Sequence, residues 1–241
     1  MWLISNRVTV RDSGLLEGFC DCHCHLLPGV DDGVQETTET LDILGLWEQA
    51  GVEEVWMTPH VMEDIPNSPA SLKGHFEALE DTYRGSIRLH LAAEHMLDRL
   101  FLDRLEKGEL LPLGESGKLL LVETSYYNPP MDMEGIVERV KAAGYTPVLA
   151  HPERYRYMDM EDYDHWRWAG VKLQLNVPSL TGAYGPLARK KAETLLDRGW
   201  YDLCGTDTHS MEAVEYFLDN KIKKKTTEAI RELQQNQQSI L

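Results

Sequence analysis

The sequence predicts an α/β protein whose parallel strands form a closed or nearly closed barrel. Three observations support this fold class. About seven strand-like segments alternate with helical segments along the chain, which is typical of parallel β/α architecture. No glycine-rich nucleotide fingerprint follows the first strand, where an open doubly wound sheet often has one. Polar residues also cluster where the strands end, and barrel enzymes build their sites at this face.

Short apolar runs that end in a polar residue define the strands. The run LLLV, for example, leads directly to Glu123. The predicted strands cover residues 19–25, 54–57, 87–92, 119–122, 146–150, 171–175 and 201–205.

Apolar residues at helical spacing define the helices between these strands. In the first helix they are Leu41, Leu44 and Trp47, and Gly51 follows as a C-terminal stop. The predicted helices cover residues 36–50, 71–84, 96–107, 131–143, 159–168 and 186–198, and the chain from residue 211 onward is helical by composition.

The length of 241 residues fits one domain, which we expect to span residues 19–241. Residues 1–18 form an N-terminal extension of mixed polarity, which could add an edge strand or lie across the barrel floor. A chain of this size buries a substantial core without disulfides or a structural metal. Any bound metal is therefore expected to serve chemistry rather than folding.

The chain is strongly acidic, with 24 basic and 40 acidic residues and a formal net charge of −16. Such a charge repels polyanions and argues against a nucleic-acid surface built on phosphate contacts. The sequence has neither an apolar run long enough to span a bilayer nor a recognisable signal peptide, so we expect a cytoplasmic protein without a membrane span. The basic run at residues 221–225 and the glutamine-rich tail at residues 234–238 are interpreted as solvated surface.

The first strand carries the motif DCHCH. Strict alternation would place Asp21, His23 and His25 on one face and the three cysteines of this strand on the other. Two imidazoles on one face can both bind one metal ion, and Asp32 lies in the loop that follows. We interpret the cysteine face as apolar and packed against a helix, and Cys204 is interpreted in the same way.

Similar residues recur at the later strand ends and complete a set of candidate ligands. The set comprises His23, His25, Asp32, His60, Glu94, Glu123, His151, Asp207 and His209. It exceeds what one ion needs, so two or three ions bridged by a carboxylate are expected. Clustered ions suit phosphoryl transfer, and mixed imidazole and carboxylate ligation favours manganese, iron or zinc over calcium.

The ordered segments DCHCH, LPGVDDG, TPH, AAE, VETS, HPERY and GTDTH resemble the polymerase and histidinol phosphatase (PHP) superfamily. Within it, the chain is similar to the bacterial protein-tyrosine phosphatases of the capsule and exopolysaccharide type. The match extends from about Phe19 to His209. The resemblance implies a distorted seven-stranded (β/α)7 TIM-like barrel with a three-metal site.

The resemblance also implies a role for each matching residue. The first ion would be bound by His23, His25, Glu94 and Asp207. Glu94 would bridge to a second ion, which Glu123 and His151 would also bind. The third ion would be bound by Asp32, His60 and His209. Arg154 matches an arginine that binds the substrate phosphate, and the predicted catalytic residues are Arg154, Asp207 and His209. The structural alternative for Arg154 is a salt bridge with Glu153 or another acid.

The sequence departs from the family pattern after the final Asp-x-His motif. Relatives from Gram-positive bacteria have a second arginine several residues later, whereas this chain has none between His209 and Arg231. Another residue or a partner chain would then complete the phosphate site, or the specificity for phosphotyrosine would be weaker. Tyr126, Tyr127 and Tyr155 are expected near the pocket mouth, where they either stack on an aromatic substrate or serve packing.

The predicted function is metal-dependent hydrolysis of protein phosphotyrosine, with manganese as the leading metal. The resemblance implies as substrate the tail of a bacterial tyrosine kinase that controls polysaccharide export. One alternative is a phosphoesterase for a small phosphomonoester such as histidinol phosphate, and the net acidity disfavours a nucleic-acid substrate. A second alternative is a non-catalytic binding module of an export complex.

Overall fold

The computed structural model describes residues 6–241, so residues 1–5 of the predicted extension lie outside the described residues. The strands are β1 (Arg7–Thr9), β2 (Phe19–Cys24), β3 (Val52–Met57), β4 (His60–Val61), β5 (Arg88–Leu91), β6 (Glu94–Met96), β7 (Leu119–Glu123), β8 (Thr146–Ala150), β9 (Lys172–Asn176), β10 (Leu203–Gly205) and β11 (Lys221–Lys223). The helices are α1 (Thr37–Ala50), α2 (Pro69–Glu80), α3 (Arg99–Lys107), α4 (Met133–Ala142), α5 (Met160–Trp168), α6 (Gly185–Asp197), α7 (Met211–Asp219) and α8 (Lys224–Gln238). Two short 3-10 segments, Pro152–Arg154 and Val177–Thr181, follow β8 and β9.

Nine of the strands form two parallel sheets, and a helix separates successive strands except between β3 and β4 and between β5 and β6. Six strands pair in the order β10-β9-β8-β7-β6-β4, and three pair in the order β2-β3-β5. This arrangement confirms the predicted mixed α/β class with parallel strands. None of the helices within residues 6–241 is both long and apolar enough to cross a membrane.

The strand pairing does not confirm a closed seven-stranded barrel. Two of the predicted strand positions are divided, because β3 and β4 are separated by Thr58 and Pro59, and β5 and β6 by two alanines. Pro59 has no backbone N–H, so the ladder cannot run unbroken through it. At this side, the parallel ladder is therefore interrupted between the three-stranded and the six-stranded sheet.

The N-terminal extension adds a strand, but not to either parallel sheet. β1 pairs with β11 in an antiparallel ribbon, in which Val8 lies opposite Ile222. β11 interrupts the stretch from residue 211 onward, which the composition predicts to be entirely helical. Leu15 and Leu16 are buried in the main core, so this segment packs against the body of the protein.

Two glutamines of α8 connect β2 and β10, the first and the last of the parallel strands. We call the line along which these two strands meet the seam. The Gln234 side chain accepts a hydrogen bond from the Cys20 N–H at 2.8 Å and donates to the Cys20 carbonyl at 3.1 Å. Gln237 accepts from the Cys204 N–H at 2.6 Å and donates to the Cys20 carbonyl at 2.8 Å. Both side chains are buried, so the interpretation of the glutamine-rich tail as solvated surface is wrong for these two residues.

At the carboxyl ends of the strands, β2 and the segment after β10 approach each other directly. The Asp207 N–H donates to the His23 carbonyl at 2.7 Å, and the His25 N–H donates to the Thr208 carbonyl at 2.8 Å. Gly205 permits this approach, since a Cβ there would lie 2.6 Å from the Cβ of His23. A side chain at this position would push apart the two segments that contain candidate ligands.

Strict alternation fails along β2, whose register shifts between Asp21 and Cys24. Asp21 does not join the histidines, because its carboxylate accepts hydrogen bonds from the N–H and hydroxyl of Thr206. The cysteines also do not share one packing environment: Cys20 and Cys22 belong to a small core cluster and Cys24 to the main one. Their predicted burial is confirmed, and all four cysteines are free and buried.

We expect opposite effects on stability when two glycines are replaced by alanine. Gly205→Ala should lower the free energy of unfolding by about 1–3 kcal/mol, because the new methyl group meets His23. Gly45→Ala is the control: Gly45 lies inside α1, and a methyl group added there would have open space around it. This change should therefore raise stability by about 0.5–1 kcal/mol. Urea denaturation measures both, and equal effects would contradict the close approach at Gly205.

Candidate metal centre

The ends of the parallel strands bring all nine candidate ligands into one cluster. Seven of the nine are buried, whereas Asp32 and His209 lie at the more open side. Four overlapping groups have ligand atoms within 4.8 Å of one another: His25, Asp32, His60 and His209; His23, His25 and Asp207; His23, Glu94 and His151; and His60, Glu94 and Glu123. Residues far apart in the sequence thus offer ligand atoms to shared positions.

The deepest part of the cluster joins two imidazoles and two carboxylates. The Nε2 atoms of His23 and His25 lie 3.2 Å apart. Each of them lies 3.3–3.4 Å from Oε2 of Glu94 and from Oδ1 of Asp207. A tetrahedral ion with bonds of about 2.0 Å separates its ligand atoms by about 3.3 Å. An octahedral ion with bonds of about 2.1 Å separates neighbouring ligands by about 3.0 Å, so the spacing suits either geometry.

Buried atoms without hydrogen bonds mark a second position in the cluster. His60 Nδ1 lies 3.1 Å from Glu94 Oε2 and 3.0 Å from Glu123 Oε1. These three atoms are buried, and none has a hydrogen-bond partner within the described part of the chain. Unsatisfied buried polar atoms cost free energy, which a bound cation would offset. The donor set therefore fits a divalent metal ion.

The outer part of the cluster faces solvent. Asp32 Oδ1 lies 3.4 Å from Nε2 of His60 and 3.6 Å from Nε2 of His209. The Asp32 side chain is 66% exposed and that of His209 is 31% exposed. A ligand or water can therefore reach the cluster from this side.

Two candidate ligands have an uncommon backbone conformation. His151, directly after β8, has a φ of 33°, and Asp207, shortly after β10, has a φ of 52°. Residues other than glycine rarely adopt positive φ, and such conformations persist only where the surroundings enforce them. This strain is concentrated at the strand ends where the two side chains enter the cluster.

Three polar residues that the sequence analysis missed hold the ligands from outside. Asp31 Oδ2 lies 2.8 Å from His25 Nδ1 and also accepts a hydrogen bond from the His60 N–H at 2.9 Å. Gln174 Oε1 lies 3.0 Å from His23 Nδ1, and the side-chain amide of Asn176 donates to Asp207 at 3.0 Å. Such partners fix the ring orientation and tautomer of ligand histidines. Two of the three had a sequence signal: Asp31 lies beside Asp32, and Asn176 directly follows the predicted strand at residues 171–175.

The carboxylates dominate the electrostatics of the cluster. Burial and the neighbouring His25 lower the pKa of His60, but Glu94 and Glu123 outweigh them and raise it to about 10. Burial opposes ionisation of Glu94, yet the adjacent histidines hold its pKa well below the usual range. The cluster therefore has a negative potential that attracts protons or, in their place, a divalent cation.

Arg154 links the cluster to the surface. Its Nη1 forms an ion pair with Oδ2 of Asp207, so the predicted alternative of a salt bridge is realised with Asp207 and not with Glu153. The guanidinium lies between two aromatic rings, 4.5 Å from the centre of Tyr126 and 4.2 Å from that of Tyr184. Stacking and the ion pair together fix the orientation of the guanidinium.

Two cavities adjoin Arg154 and Asp207, and Tyr184 lines both. The larger has a volume of about 460 Å³ and is lined by Tyr126, Tyr127, Glu153, Arg154, Arg156, Tyr184 and the first residues of α6. The smaller has a volume of about 310 Å³ and is lined by residues that include Asp207, Thr208, Tyr216 and Phe217. No pattern in the sequence marked Tyr184.

Tyr155 and Tyr127, both predicted to contact substrate, differ in their exposure. Tyr155 is fully buried, and its hydroxyl accepts a hydrogen bond from the Thr124 N–H at 3.2 Å. Burial excludes direct contact of Tyr155 with a substrate, which corrects the prediction for this residue. Its ring supports Tyr126, with a distance of 6.1 Å between ring centres. Tyr127 is exposed and lines the larger cavity, so its predicted contact with substrate stays a prediction.

Fold and site together define a class: an α/β protein with clustered histidines and carboxylates that could hold metal at the carboxyl ends of its parallel strands. A family described as capsular polysaccharide synthesis, CpsB/CapC, matches residues 19–240, and the chain belongs to this family. The resemblance to bacterial capsule phosphatases, noted from the motifs, is thereby confirmed.

Known relatives of the chain have similar length and fold. The chain is 26% identical over 199 residues to the tyrosine-protein phosphatase YwqE of Bacillus subtilis, with 80% of this chain and 78% of the relative covered. It is 24% identical over 214 residues to the tyrosine-protein phosphatase CpsB of Streptococcus pneumoniae, with 80% and 84% covered. A solved structure from work on YwqE and CpsB, described there as metal-dependent tyrosine phosphatases, matches with a TM-score of 0.75 at 22% identity and covers 90% of this chain and 88% of its own. This structural match shows that the fold is shared.

Asp31→Asn should weaken metal binding by about 10–100-fold, because the variant loses the carboxylate that orients His25. Asp42→Asn, an exposed change on α1, is the matched control and should leave the affinity unchanged. Calorimetric titration of the metal-free protein with manganese measures both. Equal affinities for the two variants would show that Asp31 does not support the cluster.

Metal binding should release protons at pH 7. The pKa of His60 is raised to about 10 in the ion-free cluster, so this imidazole is protonated at pH 7 and must lose its proton to act as a ligand. Affinity should therefore fall as the pH falls. Addition of manganese to metal-free protein in weakly buffered solution with a pH indicator detects the release, and a constant pH on binding would contradict it.

Proposed function

We propose that this protein is a metal-dependent phosphatase that hydrolyses phosphotyrosine in proteins. The observation that supports this most directly is the shared position of Asp207. One of its oxygens faces the two histidines of the deep cluster, and the other pairs with Arg154 beside an open cavity. Asp207 thus contacts both the histidines proposed to bind metal and the arginine proposed to bind the phosphoryl group.

Arg154 is suited to hold the phosphoryl group of the substrate. One nitrogen pairs with Asp207, and a guanidinium has further N–H donors that can reach phosphoryl oxygens in a planar fork. Its two aromatic neighbours hold the fork in place, so little reorganisation is needed as negative charge develops. Divalent ions bound in the cluster would supply Lewis acidity toward the phosphoryl oxygens and the attacking water.

The aromatic surroundings of Arg154 favour an aryl phosphate. Tyr126 and Tyr184 flank the guanidinium, and Tyr216 and Phe217 line the smaller cavity next to Asp207. Rings of this kind pack well against the ring of phosphotyrosine. Hydrolysis would yield tyrosine and inorganic phosphate, and a phenol with a pKa near 10 leaves more readily than an alcohol.

The relatives support the choice of substrate. YwqE and CpsB are named tyrosine-protein phosphatases, and the family is described by its part in capsular polysaccharide synthesis. We propose as substrate the tyrosine-phosphorylated tail of a bacterial kinase that controls capsule or exopolysaccharide production.

We further propose two or three divalent ions, with manganese as the leading metal and iron or zinc as alternatives. The proposed ligands are His23, His25, Glu94 and Asp207 for the first ion; Glu94, Glu123 and His151 for the second; and Asp32, His60 and His209 for the third. The approach of His60 Nδ1 to Glu94 and Glu123 gives this residue access to the second position as well. Arg154, Asp207 and His209 remain the proposed catalytic residues.

We also propose that the two parallel sheets together form one distorted barrel. β3 with β4, and β5 with β6, would each count as one interrupted strand, which gives seven positions of a distorted (β/α)7 barrel. The backbone hydrogen bonds between His23–His25 and residues 206–208 support closure between the first and last positions. Residues 19–241 would then form one domain, preceded by the extension of residues 1–18.

Removal of metal should abolish hydrolysis of a phosphotyrosine peptide, and added manganese should restore it. His23→Ala and Asp207→Ala should each reduce kcat/KM by more than about 100-fold, because each removes a ligand and not merely a partner of one. Histidinol phosphate and a DNA oligonucleotide serve as comparison substrates. Activity that survives both chelation and these substitutions, or faster turnover of a comparison substrate, would overturn the proposal.

Arg154→Lys should lower kcat/KM by about 100-fold or more while metal content stays the same. Lysine keeps the positive charge but lacks the planar fork of donors. Arg139→Lys on α4 is the control, since Arg139 is exposed and lines neither cavity. Steady-state kinetics with metal analysis of each variant provide the test; a loss below about threefold would remove Arg154 from the phosphate site.

A further inference from the structure

The larger cavity contains a second arginine with no assigned role. Arg154 and Arg156 both line it, on either side of the buried Tyr155. The guanidinium of Arg156 lies 4.9 Å from the ring centre of Tyr127, which repeats the arginine-on-tyrosine arrangement of Arg154 and Tyr126. The backbone N–H of Arg156 donates to the backbone carbonyl of Tyr126 at 2.8 Å. This hydrogen bond connects the two arginine–tyrosine pairs.

Arg156 differs from Arg154 in being free to bind a ligand. Arg154 already pairs with Asp207, whereas Arg156 is exposed and forms no ion pair within residues 6–241. Its guanidinium contacts the tyrosine ring, which orients the group without neutralising it. An exposed arginine held on a ring, next to a catalytic pocket, presents several unused donors to anything that enters the cavity.

The cavity is locally positive in a chain with a net charge of −16. Besides the two arginines, the charged lining includes only Glu153 among residues 6–241. Glu153 is buried and occupied, since its carboxylate accepts hydrogen bonds from Ser179, Tyr201 and the Asn176 N–H. The cavity therefore favours an anionic group, while the remaining surface repels one.

We propose that Arg156, supported by Tyr127, forms a second anion subsite that binds a carboxylate or phosphoryl group next to the phosphotyrosine being hydrolysed. This inference rests on the proposed phosphatase function and adds a determinant of substrate choice. A peptide whose scissile phosphoryl group reaches Arg154 would place a neighbouring acidic side chain within the same cavity, over Arg156. The enzyme would thus select phosphotyrosines in acidic or multiply phosphorylated segments.

Three peptides of equal length test this subsite. Each contains one target phosphotyrosine, with neighbouring positions that are neutral, glutamate, or a second phosphotyrosine. The manganese-loaded wild-type protein should show kcat/KM about fivefold higher for the anionic peptides than for the neutral one, mainly through a lower KM. Arg156→Gln should reduce this preference to below about twofold. Arg139→Gln, an exposed change on α4 away from the cavity, should keep the wild-type preference.

The outcomes separate this inference from the proposed function. Preference for both anionic peptides identifies a general anion subsite, and preference for the doubly phosphorylated peptide alone identifies a phosphoryl subsite. Hydrolysis of all three peptides without preference, or a preference that Arg156→Gln leaves intact, overturns the subsite and leaves the phosphatase function standing. If the protein hydrolyses none of the peptides, the phosphatase function fails and the subsite fails with it.

Discussion

Negative charge buried at the strand ends is the constraint on which the rest of the structure depends. Glu94, Glu123 and Asp207 are almost fully removed from water, and buried carboxylates are costly unless cations or donors surround them. Five histidines and Arg154 lie against these carboxylates, yet oxygen atoms of Glu94 and Glu123 still lack hydrogen bonds within the described chain. Divalent ions would complete the compensation of this buried negative charge. The carboxylates whose burial destabilises the fold would therefore also be the groups that attract the ions.

The surrounding fold is arranged to maintain this concentration of charge. His151 and Asp207 take up uncommon backbone conformations, and Gly205 lets the ends of β2 and β10 approach closely. Gln234 and Gln237 bridge the same two strands at their other ends. These features secure the seam where the first and last parallel strands meet, which is also where His23, His25 and Asp207 enter the cluster.

The sequence predicted that the nine candidate ligands lie together because parallel strands bring their carboxyl ends to one edge, whatever their separation along the chain. It could not predict Gln174, whose contact with His23 depends on the position of β10 between β9 and β2, or Tyr184, which reaches Arg154 only through tertiary structure. Alternation assigned Asp21 to the wrong face because a register shift in β2 cannot be seen in the residue pattern. Gln234 and Gln237 were interpreted as surface residues because their polarity does not show that their side chains bond the backbone of other strands.

Anomalous X-ray diffraction from crystals grown with manganese tests the central claim, a multi-ion centre at the strand ends, most directly. We expect manganese peaks among the donor atoms of His23, His25, Glu94 and Asp207 and, beside them, near Glu123 and His60. Peaks only elsewhere on the protein, or none while these side chains keep the positions described above, would contradict it.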